Sequence, residues 1–156
     1  MPPGYFIGEV RVLWLKQDGP DRLMELLEDF KFIDPNGKEW LAAKGRRIDG
    51  ASIPRILWTV AGDPFIGDYR RASVLHDVAC DDKVEPDKSV HRMFYDAMIC
   101  DGVDHETAAK FYTAVRLFGP KWDIVTGPSL RPSVTTRTSV PSIDQIEATL
   151  DAVLQE

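Results

Sequence analysis

Arg70-Arg-Ala-Ser-Val-Leu-His-Asp-Val-Ala-Cys80 is the stretch on which the fold turns. It contains neither proline nor glycine, and Tyr69, Ala72, Ser73, His76 and Cys80 recur at helical spacing, which predicts a helix with one narrow face of mostly small side chains. Another helix can approach such a face closely. Asp68 stands where it can cap the first turn.

The segments that follow repeat the helical pattern. Pro86 opens a second helix whose stripe is Val90, Phe94, Ala97 and Met98, ending near Asp101-Gly102. Asp104 can cap a third, with Thr107, Phe111, Val115 and Phe118 on its buried face and Gly119-Pro120 stopping it. The connections are short, so successive helices are expected to be antiparallel neighbours. Upstream, Ile48-Asp-Gly-Ala-Ser-Ile-Pro-Arg55 is a glycine-bearing turn in which Ser52 and Pro54 start a short helix that Gly62 ends.

Before Gly45 the signals are those of strands. Glu9 to Leu15 alternates at its start and stops at Gln17-Asp-Gly-Pro20; Arg22 to Leu27 and Asp29 to Ile33 read as two short strands or one bent one. Asp34-Pro-Asn-Gly37 turns the chain back into Lys38-Glu-Trp-Leu-Ala42. The expected class is α+β: a small N-terminal antiparallel β-meander followed by a three- to four-helix cluster and an extended C-terminal arm ending in a short amphipathic helix.

That arm begins where the composition shifts. Residues 1–120 read as one domain, 121–141 as a Ser/Thr/Pro-rich arm, and 142–156 as a helix opened by the capping box Ser142-Ile-Asp-Gln145. Ile143, Ile146, Leu150, Val153 and Leu154 form its apolar stripe. A helix this short needs a surface to dock on, which predicts a protein partner or self-association through 121–156.

Composition limits the function. A formal charge of −6 without a clustered basic patch argues against nucleic acid, and no apolar run reaches membrane-spanning length. Two cysteines are too few for a disulfide framework, which suits a reducing compartment, expected to be the cytoplasm of a bacterial host.

The chemistry-bearing residues gather around His76 and Asp77. These are adjacent helical ligands about 100° apart, Cys80 lies one turn along the His76 face, and His91 on the next helix can face His76 across an antiparallel pair. His76, Asp77, His91 and Asp49 are the candidate metal ligands, for zinc or calcium. A second reading makes His76 a buried ring bonded to a backbone carbonyl and Asp77 a partner of Arg70 or Arg71. Ser52 also has two roles open to it: a helix cap, or a nucleophile activated by His76 with Asp49 or Asp77 orienting the ring. The catalytic candidates are therefore His76, Asp77 and Ser52, with Arg55 placed to meet substrate. Cys80 and Cys100 read as small buried hydrophobes.

Ile48 to Arg55, Leu57-Trp58, Gly62, Gly67 to Asp77, Met93-Phe94 and Ala114 to Gly119 together resemble a family of proteins common in bacteriophages and prophages. The resemblance covers about Phe30 to Gly119 and implies a phage context, the product being a host-cell protein or one incorporated in the virion. This chain departs from the family pattern with Val78-Ala-Cys80 where aromatics are usual, and with His91 where an aspartate is usual. The His-Asp helix also resembles that of secreted phospholipases A2. That resemblance implies His76 as general base, Asp77 as calcium ligand and His91 as ring partner.

Two function classes follow. One is a metal-dependent, hydrolase-like protein with its site at His76 and Asp77. The other is a non-enzymatic virion component or host-factor-binding protein that docks through its C-terminal arm.

Overall fold

Phe30 and Phe32 alternate with Lys31 and Ile33 along one strand, and the two phenylalanines are both fully buried. That period of two, repeated by Met24 and Leu26 and by Trp40 and Ala42, gives the N-terminal third a buried face. In the computed structural model, which describes residues 3–16, 23–50, 52–54, 57 and 67–124, the described part of this third forms six strands. They are β1 (Tyr5–Ile7), β2 (Val12–Leu15), β3 (Leu23–Leu26), β4 (Phe30–Ile33), β5 (Glu39–Ala42) and β6 (Arg47–Ile48).

The strands divide into two antiparallel sheets of three, ordered β1-β4-β5 and β2-β3-β6. A single meander of four or five strands is the simpler expectation, and the break lies at Leu27 to Asp29. There the Asp29 carboxylate accepts the Lys44 N–H at 2.8 Å, while Leu26 exchanges backbone bonds with Gly45 and Arg46. The β4–β5 hairpin turns where expected. Asp34 accepts N–H groups from Asn36 and Lys38 and the Trp40 indole N–H, so one carboxylate fixes both the turn and the first inward residue of β5. Gly4, at φ +93°, lets the chain pass so close to β4 that a Cβ there would meet the Phe32 ring at 2.8 Å.

Among the described residues three whole helices follow: α1 (Arg70–Asp82), α2 (Asp87–Cys100) and α3 (His105–Phe118). The arrangement is α+β. Central helix α1 packs against α2 on one side and β5 and β6 on the other. It is therefore buried nearly all round, with Val74, Leu75, Asp77 and Val78 covered as well as the stripe through His76. The narrow-face expectation understated this because it counted only one neighbour. Asp68 does not cap α1; Tyr69 holds the N-cap position and makes no side-chain cap bond. Asp104 does cap α3, accepting the Thr107 N–H at 2.9 Å.

Phe94 of α2 lies between His76 of α1 and Phe111 of α3, with ring centroids 4.6 and 6.3 Å away, and so ties the three helices together. No helix among the described residues is long and apolar enough to cross a membrane. Arg55, most of the helix expected to end at Gly62, and the docking stripe at Ile143, Ile146, Leu150, Val153 and Leu154 lie outside the described residues.

Candidate active site

The four-residue connection from Lys83 to Pro86 returns α2 along α1 and sets His91 against His76. The rings meet edge to edge: His76 Nε2 is 2.9 Å from His91 Nδ1. On its other side, His76 Nδ1 is 3.0 Å from Ser52 Oγ, and His91 Nε2 is 3.1 Å from the Pro120 carbonyl. Four groups from four parts of the chain form one unbroken line of hydrogen bonds.

The proton positions in that line follow from its end. A carbonyl oxygen can only accept, so His91 Nε2 must carry a hydrogen. Burial lowers the pKa of both imidazoles, that of His76 well below the ordinary value, with the neighbouring ring pushing it further down. Both rings are therefore neutral near pH 7. Neutral His91 leaves Nδ1 as an acceptor, His76 must donate to it from Nε2, and His76 Nδ1 is left to accept the Ser52 hydroxyl proton. Every link points the same way, from serine to carbonyl.

Asp77 meets this line only at Ser52, whose hydroxyl hydrogen it can accept as the alternative to His76. Its carboxylate accepts the backbone N–H groups of Asp49 at 3.0 Å, Gly50 at 3.3 Å and Ser52 at 3.2 Å, pinning the turn that presents Ser52. Gly50 takes φ +77° within that turn, a conformation that favours glycine. Burial pushes the Asp77 carboxyl upward, and the hydrogen bonds from Asp49 and Ser52, whose hydroxyl also reaches it, oppose that push. Neither Arg70 nor Arg71 is the partner that fixes Asp77; Arg71 pairs with Asp101 at the far end of α2.

Cys80, four residues along α1 from His76, places its sulfur 3.7 Å from His76 Nε2 and 3.8 Å from Nδ1. Burial, the nearby Asp77 charge and the Asp81 charge keep it a neutral thiol. His76, Cys80 and His91 offer ligand atoms within 4.8 Å of one another, a group that can hold a metal ion. Asp77 and Asp49 stand outside that group, Asp77 because the turn occupies its oxygens.

Of the residues singled out from sequence, the fold gathers Ser52, His76, His91 and Asp77, with Asp49 present through its backbone N–H. Two contributors were not among the candidate ligands or catalytic groups, Cys80 having been read as a small buried hydrophobe on the His76 face. Cys80 carried a usable signal in its four-residue spacing from His76. The Pro120 carbonyl carried none, because a main-chain oxygen leaves no trace in residue type. Trp122 closes this side, donating its indole N–H to the Glu85 carbonyl at 2.9 Å and lying edge-on to the His91 ring with the ring centroids 6.1 Å apart.

The chain belongs to the family described as "Protein of unknown function (DUF1353)", whose model matches residues 24–115. That match takes in Ser52, His76, Asp77, Cys80 and His91 and stops before Pro120. Among curated proteins, the chain is similar to the uncharacterized protein y4jT of Sinorhizobium fredii, 45% identical over 107 residues, which is 69% of this chain and 32% of that protein. It is also similar to the uncharacterized protein y4iH of the same organism, 38% identical over 117 residues, covering 75% and 48% of the two chains. The chain thus spans about a third and about half the length of these relatives. No solved structure matches.

Proposed function

We propose that this chain is a hydrolase-like protein of the acyl-transfer type in which Ser52 is the nucleophile, His76 the general base and His91 the group that holds the base. The observation behind this reading is the directed line from Ser52 through His76 and His91 to Pro120, the nucleophile, base and orienter arrangement of serine hydrolysis. As Ser52 Oγ attacks an acyl carbon, its proton passes to His76 Nδ1, and the proton is later returned to the leaving group. Water then repeats the sequence on the acyl-enzyme and releases the acid.

His91 sets the limits of this chemistry. A carboxylate in its place would neutralise the imidazolium that forms on His76, whereas a neutral imidazole only accepts a hydrogen bond from it. The base is correspondingly weak, and slow turnover follows. Asp77 acts one step away by fixing the turn, and it needs no calcium to do so. Ser52 is 5% exposed, so reaction at its hydroxyl requires the 49–52 turn to open. A phage or prophage setting belongs to this reading on sequence resemblance alone.

If a metal occupies the group at His76, Cys80 and His91, its donors favour zinc over calcium. Two imidazole nitrogens and a sulfur suit a borderline-soft ion, and calcium takes oxygen.

Incubating the full chain with a small alkyl fluorophosphonate tests the nucleophile assignment. The expected outcome is a single adduct that peptide mass spectrometry places on Ser52, lost in Ser52→Ala and at least tenfold slower in His76→Asn. A folded protein that forms no adduct between pH 7 and 9, or forms it elsewhere, contradicts the assignment.

A further inference from the structure

We infer that a zinc-type divalent ion and the serine relay compete for His76, so that binding the ion at His76, Cys80 and His91 switches Ser52 off. This inference rests on the acyl-transfer reading above and adds its regulation.

The competition follows from where the lone pairs are. His76 Nε2 and His91 Nδ1 face each other at 2.9 Å with one proton between them. An ion bound by both rings needs a lone pair on each of these nitrogens, so that proton cannot stay. Neutral His76 must then carry its hydrogen on Nδ1, the atom that accepts from Ser52 in the ion-free protein. The Ser52–His76 bond persists, but its direction reverses. Ser52 Oγ becomes the acceptor, its own hydrogen turns to the Asp77 carboxylate that the hydroxyl also reaches, and no imidazole lone pair remains to take it.

The ligand atoms lie within 4.8 Å of one another, so admitting the ion draws Cys80 Sγ, now almost equidistant from the two His76 nitrogens, toward the gap between the rings. Tetrahedral zinc, with nitrogen at about 2.0–2.1 Å and sulfur at about 2.3 Å, sets its nitrogen ligands about 3.3–3.4 Å apart and sulfur about 3.5 Å from nitrogen. His76 Nε2 and Cys80 Sγ are already 3.7 Å apart, and the two rings must separate by a few tenths of an ångström. The bonds that hold the rings from behind are those a bound imidazole uses: His91 Nε2–H to the Pro120 carbonyl, and His76 Nδ1–H to Ser52. The balance is simple. Cys80 releases its thiol hydrogen to solvent as it becomes the sulfur ligand, while the His76 hydrogen moves from one ring nitrogen to the other through solvent exchange, leaving both rings neutral.

The experiment uses the full chain, stripped with chelator and titrated with zinc chloride, with three readouts: zinc per chain, the rate of fluorophosphonate labelling, and nitrogen-15 spectra of the histidine rings. The expected result is one zinc per chain, a labelling rate that falls at least tenfold in step with occupancy and returns on adding chelator, and transfer of the His76 ring hydrogen from Nε2 to Nδ1. In Cys80→Ala, zinc should bind at least tenfold more weakly, and labelling, scaled to that variant's own metal-free rate, should respond correspondingly less. Failure of zinc to bind, an unchanged His76 tautomer in the loaded protein, or labelling that persists or quickens at full occupancy overturns the competition. Absence of labelling in metal-free protein removes the nucleophile reading instead, and the tautomer readout still decides whether the ion redirects His76.

Discussion

Asp77 spends a buried carboxylate on three backbone N–H groups of one turn, where a neutral amide has only one oxygen to offer. Asp77→Asn is therefore expected to cost about 1.5–3 kcal/mol in urea unfolding, the range for hydrogen bonds to a charged group, and to slow Ser52 labelling by displacing the turn. A change under 0.5 kcal/mol would show that the turn holds itself. The two histidines set an opposite pH dependence from most buried acids. Their folded pKa values lie below the ordinary 6.5, so the unfolded chain takes up protons first; the stability they contribute is complete above that value and is lost as pH falls below it. The raised Asp77 carboxyl acts in the other sense, favouring the folded state below its ordinary 3.8 and losing that contribution as pH rises. Urea midpoints should drop between pH 7 and pH 5, and His91→Asn should flatten the drop; an equal slope in that variant would assign it to other groups. At this scale the sequence pointed to His76, His91 and Ser52 because imidazoles and a turn serine are rare and easily placed. It did not show which way Asp77 faces, since adjacent helical residues diverge by about 100° and only the packing of β6 and the 49–52 turn decides which neighbour each meets.

Among the elements, α2 was the most legible, because Val90, Phe94, Ala97 and Met98 form a stripe that the structure buries completely. Strands β1 and β6 were not legible, since three residues and two residues are too short for alternation to show. The burial of α1 on both sides could not be read from one periodic face either, because its second neighbour is a sheet edge built from distant chain. Phe94 is where the helices depend on one another, fully buried between His76 and Phe111. Phe94→Ala should cost about 3–5 kcal/mol by chemical denaturation and loosen the His76 ring as well. A loss below 1 kcal/mol would mean that the three helices do not share one core at this point.

For the molecule as a whole, the described core runs from Met24 to Val115, and Pro120 and Trp122 complete the site from just beyond it. A chain ending at residue 118 should therefore melt lower than one ending at 124, because His91 loses the carbonyl that fixes its proton. Equal melting of the two would remove Pro120 from the account. The α+β class was readable from the change of period near Gly45, while the split into two sheets depended on backbone bonds of Leu26 that residue types do not announce. The central claim is that the proton line runs from Ser52 to Pro120 through two neutral imidazoles. Nitrogen-15 spectra of the histidine rings in the metal-free full chain at pH 7.5 test it most directly. The account requires both His76 and His91 to be neutral with hydrogen on Nε2 and none on Nδ1; a charged ring, or hydrogen on His76 Nδ1, would contradict it.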